Sequence, residues 1–200
     1  MVFDWWLALY GNGDMSAETP WIPSALIGHY EILALIKSGS LMVEPFVPKL
    51  VSDNKIDLRI SDEFIRLAST PEIFNAEKPD YGSTFFRQER SLEFTINPNE
   101  RVLMCTMERL RLPSDLLGIV SLRSSYSRLG MQSNVGFVDP GFAGQLTLEV
   151  SGSSFPIKLR SGQSIFHILF AVSKSKEVRE YSGSYQNQKG PTLPRFRSKI

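Results

Sequence analysis

Between Ser91 and Val172 the apolar residues fall into short runs that suit strands rather than helices. Leu92, Phe94 and Ile96 alternate with polar neighbours, Arg101 to Met107 is mostly apolar, and Leu117 to Leu122 follows. Gln145-Leu146-Thr147-Leu148-Glu149-Val150 alternates strictly, which puts Leu146, Leu148 and Val150 on one face and Gln145, Thr147 and Glu149 on the other. Ile157 to Leu159 is another short strand. Ser164 to Val172 is a nearly continuous apolar run, as expected of a central strand covered on both faces. Gly, Pro, Ser and Asn separate the runs, as at Ser151-Gly152-Ser153-Ser154. Many short strands with such punctuation predict a mainly β domain, a barrel or jelly-roll.

Upstream, Ser24 to Ser38 reads as one short helix. Pro23 and Ser24 are start signals, Ile32, Leu35 and Ile36 form an apolar stripe, and Gly39 is a stop. Lys55 to Ile60 alternates as a half-buried strand. Residues 61–71 fit a short helix by pattern alone, and 72–90 read as a polar, turn-rich loop. The chain therefore divides into an N-terminal extension (1–23), a β domain (24–180) and a polar, basic tail (181–200). The extension holds three Trp residues, which are expected to dock on the domain or on a neighbouring subunit.

Two hundred residues suffice for one sizeable core. A net charge of +1 provides no global field for nucleic acid or an anionic membrane, so any anion site must be local. No apolar run reaches the roughly 18 residues that span a bilayer. The start, which carries Asp4 and lacks basic residues, is a poor signal peptide. The single cysteine, Cys105, lies in an apolar run, is expected to be a buried small hydrophobe, and fits a reducing cytoplasm.

Chemistry concentrates between Arg123 and Glu149. Arg123-Ser124-Ser125-Tyr126-Ser127-Arg128 packs two guanidiniums and three serine hydroxyls into six residues, a density that suits a triphosphate. Asp139-Pro140-Gly141 predicts a tight turn, with Pro presetting its first central position and Gly accepting positive φ at the second. Glu149 is a carboxylate in mid-strand.

In this order and spacing, R-S-S-x-x-R-x-G, then G-F-V-D-P-G-F-x-G, then T-L-E resembles the dCTP deaminase branch of the trimeric dUTPase-like superfamily. The likeness extends over roughly residues 28–195, including the helix, Glu44-Pro45-Phe46 and the strand at 55–60. It implies a dUTPase-like distorted barrel (β-clip) with a short N-terminal helix, and it favours strand and loop over helix for 61–71. It further implies hydrolysis of dCTP to dUTP and ammonia in a homotrimer with sites between subunits. Glu149 would be the proton shuttle, Ser124 would bind near the attacking water, and Arg128 would hold the Glu149 carboxylate. Arg123, Ser125 and the adjoining backbone at Tyr126 would bind phosphates, and Asp139 the deoxyribose 3′-hydroxyl. The backbone near Val135 and at Thr147 and Leu148 would meet the base, and Tyr181 and Gln188 would close from the tail. Mg²⁺ would enter with the triphosphate.

Removing the amine from cytosine needs a base for the attacking water and an acid for N3 and the leaving ammonia, and one carboxylate can serve throughout. Zinc deaminases activate that water with an H-x-E and P-C-x-x-C constellation. One cysteine and two histidines, His29 and His167, exclude that arrangement. The chain departs from the family in three places. Ser184 stands where most deaminases have Lys, residues 131–135 form a shorter loop, and Phe166-His167 replaces a common Gly-Gln. Lys189 is the cation expected to compensate for Ser184, and His167 is expected to be a strand histidine with a structural partner. Three other readings remain at this point: a bifunctional enzyme that also releases pyrophosphate from dUTP, a plain dUTP pyrophosphatase, and a nucleotide-binding module without catalysis. The Gly136-Phe137-Val138-Asp139 form resembles the bifunctional members, whereas Glu149 argues against the plain pyrophosphatase.

Overall fold

The computed structural model describes residues 26–173 and 180–196. The N-terminal extension and its tryptophans lie outside the described residues. Helix α1 spans His29–Lys37, beginning later than the start signal at Ser24. Gly28 is its cap, and the Glu31 carboxylate accepts the Gly28 N–H at 3.2 Å. Ile32 is fully buried, while Leu33, Leu35 and Ile36 pack against the core.

Strand β1 (Met42–Glu44) leads through a 3-10 turn to β2 (Lys55–Leu67), which runs seven residues beyond Ile60. No helix forms over 61–71. The backbone there is claimed from both sides, by β3 (Phe86–Arg90) and by β5 (Arg101–Arg111). Strand β3 corrects the expectation of a loop throughout 72–90. Phe86-Arg87-Gln88-Glu89-Arg90 lacks apolar alternation, and its pairing is supported by cross-strand ion pairs, Arg90–Asp62 at 2.7 Å and Arg66–Glu89 at 3.0 Å.

Strand β4 (Glu93–Ile96) pairs with β9 (Ile157–Arg160) in a small sheet, and Phe94 stacks on Phe64 at 4.2 Å. The main sheet also contains β6 (Leu116–Leu122), β7 (Gly136–Val138), β8 (Ala143–Ser151) and β10 (Ser164–Val172). A five-residue helix, α2 (Ser124–Arg128), follows β6. The order is β1-β5-β2-β10-β6-β7, with β3 on β2 and β8 on β5, and every pairing is antiparallel. Strand β10 takes the central place that its apolar run calls for, between β2 and β6. The mainly β curled sheet agrees with the expected dUTPase-like distorted barrel.

Two polar groups shape the centre of β5, where its register with β8 shifts between Cys105 and Arg109. The Thr106 hydroxyl donates to the Glu108 carbonyl at 2.8 Å and accepts the Leu146 N–H at 2.9 Å. The Glu108 carboxylate, 1% exposed, accepts the Arg59 N–H at 2.9 Å and Nε at 2.7 Å. A buried carboxylate is tolerable only with such partners. The bulge thus comes with its own hydrogen bonds, and it lies directly beside the start of β8.

Candidate active site

Strand β8 positions the site. Leu146, Leu148 and Val150 point into the core, so the strand's period of two turns Gln145, Thr147 and Glu149 to the other face. Glu149 is half-buried and lines two cavities. One, of about 450 Å³, is lined by β7, β8, the turn at Asp139 and the C-terminal segment. The other, of about 630 Å³, is bounded by Arg101, Ser121, Ser127 and the 131–134 loop. A single carboxylate therefore faces both spaces.

The turn at Asp139 forms as its residues predict. The Phe142 N–H donates to the Asp139 carbonyl at 3.1 Å, and Gly141 sits at φ 78°. It places the exposed Asp139 at the rim of the first cavity.

The C-terminal segment, a tail by composition, lies as a strap (residues 180–196) along the free edge of β8. The Tyr181 N–H donates to the Pro140 carbonyl at 2.8 Å, and its ring tilts against Phe142. The Tyr181 hydroxyl accepts the Tyr185 N–H at 3.2 Å. The Gln186 side chain accepts the Ala143 N–H at 2.8 Å and donates to the Gly141 carbonyl at 2.9 Å. Gln188 pairs with Gly144 in a parallel bridge, and its Nε2 donates to the Gln145 carbonyl at 2.6 Å. Gly190 and Thr192 N–H groups then donate to Gln145 Oε1 (2.8 Å) and Thr147 Oγ1 (3.0 Å). Gly144 is what lets the strap lie so close. A Cβ there would meet the Gln188 backbone N and O at 3.0 Å, and its φ of 147° disfavours any side chain. Gln188 is buried and its Oε1 has no partner among the described residues, which leaves an acceptor at the cavity wall.

Of the expected site residues, Asp139, Thr147, Leu148, Glu149, Tyr181 and Gln188 line the first cavity together. Arg123, Ser124, Ser125, Tyr126, Arg128, Val135 and Lys189 line neither cavity. Ser124, Ser125 and Arg128 are exposed on α2. Arg123 is tied down, with Nη1 donating to the Ser164 carbonyl at 3.0 Å and lying 3.3 Å from Asp57. The Tyr126 ring packs on the core, and burial raises its pKa. Within one chain the cation paired with Glu149 is Arg101, at 3.9 Å, rather than Arg128. Beside Ser184 stands Arg195, whose guanidinium donates to the Ser184 carbonyl, whereas Lys189 is exposed to solvent.

Phe142, Tyr185, Thr192 and Pro194 also line the cavity; of these the family resemblance marks Tyr185, the lid tyrosine after Ser184, and sequence reasoning assigned no role to the other three. His167 meets the expected structural partner, with Nε2 3.0 Å from the Ser121 hydroxyl. Burial lowers its pKa, nearby Lys55 and Arg123 act in the same direction, and Asp57 opposes them. Cys105 is buried with its pKa pushed up to about 12, again chiefly by burial. It is a thiol at neutral pH and offers no thiolate to a metal.

A family model described as dCTP deaminase-like matches residues 26–173. The dCTP deaminase of Sulfurisphaera tokodaii is 40% identical over 173 residues, covering 86% of this chain and 93% of that protein. A "probable deoxyuridine 5′-triphosphate nucleotidohydrolase" of Sulfolobus islandicus rod-shaped virus 1 is 36% identical over 168 residues, 84% of this chain and 97% of that one. The crystal structure of 2′-deoxycytidine 5′-triphosphate deaminase from Agrobacterium tumefaciens superposes with a TM-score of 0.60 at 22% identity. That match covers 74% of this chain but only 48% of the Agrobacterium chain, about half its length, and is a likeness of fold.

Proposed function

Because the chain belongs to the dCTP deaminase-like family, we propose that it hydrolyses dCTP to dUTP and ammonia, with Glu149 moving the protons. The observation that carries this reading is the placement of Glu149. It is the carboxylate shared by the strap-lined cavity and the polar one. The attacking water loses a proton to Glu149 as its oxygen bonds C4. The carboxyl delivers that proton to N3, and a second transfer lets the amine leave as ammonia while the C4 carbonyl forms. Gln188 Oε1, buried and without a partner among the described residues, accepts the substrate's amino N–H. Asp139 at the cavity rim takes the deoxyribose hydroxyl, and the Thr147–Leu148 backbone and Tyr181 flank the base.

The same reading makes the working unit a homotrimer. Arg128, Ser124 and Ser125 stand exposed on α2 and line neither of the two cavities that Glu149 faces in their own chain, so a neighbouring copy would bring them to its Glu149. Phe137 and Val135, 69% and 56% exposed, supply apolar surface close by for such a contact. Ser125, Arg123 and the first turn of α2 would then grip the triphosphate, which arrives with Mg²⁺ bound to its own oxygens.

Incubation with dCTP and, separately, dUTP, following ammonia, dUMP and pyrophosphate, tests the reaction. Ammonia from dCTP supports it, and pyrophosphate from dUTP without ammonia from dCTP replaces it with a pyrophosphatase. Mixing Glu149→Gln and Arg128→Ala chains tests the shared site. Activity recovered in the mixture supports residues from two chains at one site, and an inactive mixture of assembled chains rejects it.

A further inference from the structure

The last hold on the strap is not made by β8. Residues 71–85 leave β2 and turn back as β3, and they carry Phe74, Tyr81 and Phe85. The Tyr81 hydroxyl donates to the Pro194 carbonyl at 2.6 Å. The Phe74 ring meets Phe85 and Phe86 edge-on, with centroids 5.2 and 5.8 Å away, and tilts against Phe196 of the strap at 6.0 Å. The two residues flanking Arg195, Pro194 and Phe196, are thus gripped by one loop. Arg195 itself spans back to the strap's first turn, its N–H donating to the Tyr185 hydroxyl at 3.0 Å and its guanidinium to the Ser184 carbonyl. Tyr185, Thr192 and Pro194 all line the cavity beside Glu149.

We propose that the 74–86 loop is an aromatic clasp that fixes the distal strap over the nucleotide cavity, with Tyr81 and Phe74 as positioning residues for substrate binding. This rests on the reading of that cavity as the dCTP site. The clasp acts through Pro194 and Phe196, and neither Tyr81 nor Phe74 lines the cavity. The polar holds along β8 leave the strap's distal end free to lift, and the clasp adds a largely apolar anchor there. Loss of a neutral hydrogen bond or of one aromatic pair shifts such a closed–open balance by about three- to tenfold. Apparent affinity falls with the closed fraction, while chemistry in the closed complex is unchanged.

Tyr81→Phe removes only the hydroxyl, and Phe74→Ala removes the ring around which the cluster gathers. Each is measured for dCTP KM and kcat, for Tm, and for tryptic cleavage at Lys189 and Arg195 without nucleotide. The expected result is a three- to tenfold rise in KM with kcat within twofold. Tryptic cleavage should be faster, and Tm for Tyr81→Phe should stay at the wild-type value. Phe74→Ala and Phe196→Ala should be non-additive in combination, since they break the same contact. Wild-type KM and wild-type cleavage rates in Tyr81→Phe and Phe196→Ala would overturn the clasp. Faster cleavage in a protein whose wild type does not deaminate dCTP would uphold the clasp and reject the substrate.

Discussion

Strand β8 is bordered by β5 along one edge and by the strap along the other, and the two borders differ in what they are made of. The β5 side is a backbone ladder running from Arg101–Ser151 to Arg111–Ala143, backed by the fully buried Val102, Met104, Leu110 and Val150. Among the described residues the strap side has one bridge, Gly144–Gln188, two backbone hydrogen bonds (Asn187 N–H to the Ala143 carbonyl and Gln145 N–H to the Gln188 carbonyl), and otherwise side-chain hydrogen bonds from Gln145, Thr147, Gln186 and Gln188. Apolar burial has no substitute in water, whereas each neutral hydrogen bond nets only about 0.5–1.5 kcal/mol because water can replace it. One edge is therefore part of the core. The other is a cover that parts at modest cost, as a site that admits and releases a nucleotide requires. Glu149 lies between the two, fixed by the ladder and faced by the cover.

The strongest way to separate the borders is at Glu149 itself. Glu149→Gln keeps the shape and the strand but cannot take a proton, so kcat for ammonia release should fall about 10²–10⁴-fold. Melting by circular dichroism should stay near wild type, and a rate within threefold of wild type would remove Glu149 from its role. Next in size is damage to the ladder. Met104→Ala, at a position 1% exposed opposite Leu148, should cost about 2–5 kcal/mol in denaturant unfolding. It should not loosen the strap selectively, so tryptic cleavage at Lys189 should change only as far as global unfolding does.

Gly144→Ala works on the cover instead. It sets a Cβ against the Gln188 backbone at a φ that L residues rarely adopt. Docking of the strap should weaken, with dCTP KM raised about tenfold and faster cleavage at Lys189. Equal loss of Tm and strap docking would show that the two borders are one cooperative unit. The smallest effect concerns pH. His167 has its pKa lowered in the fold, so the neutral ring is favoured and its stability contribution is complete above about pH 6.5. That contribution is lost as pH falls below 6.5 through the folded value. His167→Gln should flatten the decline in Tm in that window while leaving the strap's cleavage rate at neutral pH unchanged.

Much of the ladder was legible in the chain itself. The runs at 145–150 and 164–172 lie inside β8 and β10, the latter with the observed limits, because period-two alternation is a local property. Asp139-Pro140-Gly141 announced its turn for the same reason, since Pro fixes φ and Gly accepts a positive φ without help from distant residues. The alternation also aimed Glu149 away from the core. Strand β3 and the end of β2 were not legible, because charged pairs such as Arg90–Asp62 hold them and such pairs appear only when the strands meet. The helix start was legible only to within a few residues, the Gly28–Glu31 cap being a weaker signal than Pro23 and Ser24.

The cover was legible only through the family resemblance, which closes Tyr181 and Gln188 over the nucleotide, and not from the residues themselves. Residues 181–196 have the composition of a tail, and nothing local in them specifies a partner. Their partner is the outward face of β8, more than thirty positions upstream, and the vacancy over Gly144 exists only once β8 has an edge. The sequence determined which residues could do chemistry and which strand would carry the carboxylate, because residue type and alternation are written locally. The tertiary structure decided that Arg101 stands nearest Glu149, that Arg195 meets Ser184, and that Tyr81 reaches Pro194. The first and last of those pairings join segments far apart in the chain, and the Arg195–Ser184 contact forms only when the strap folds back on itself.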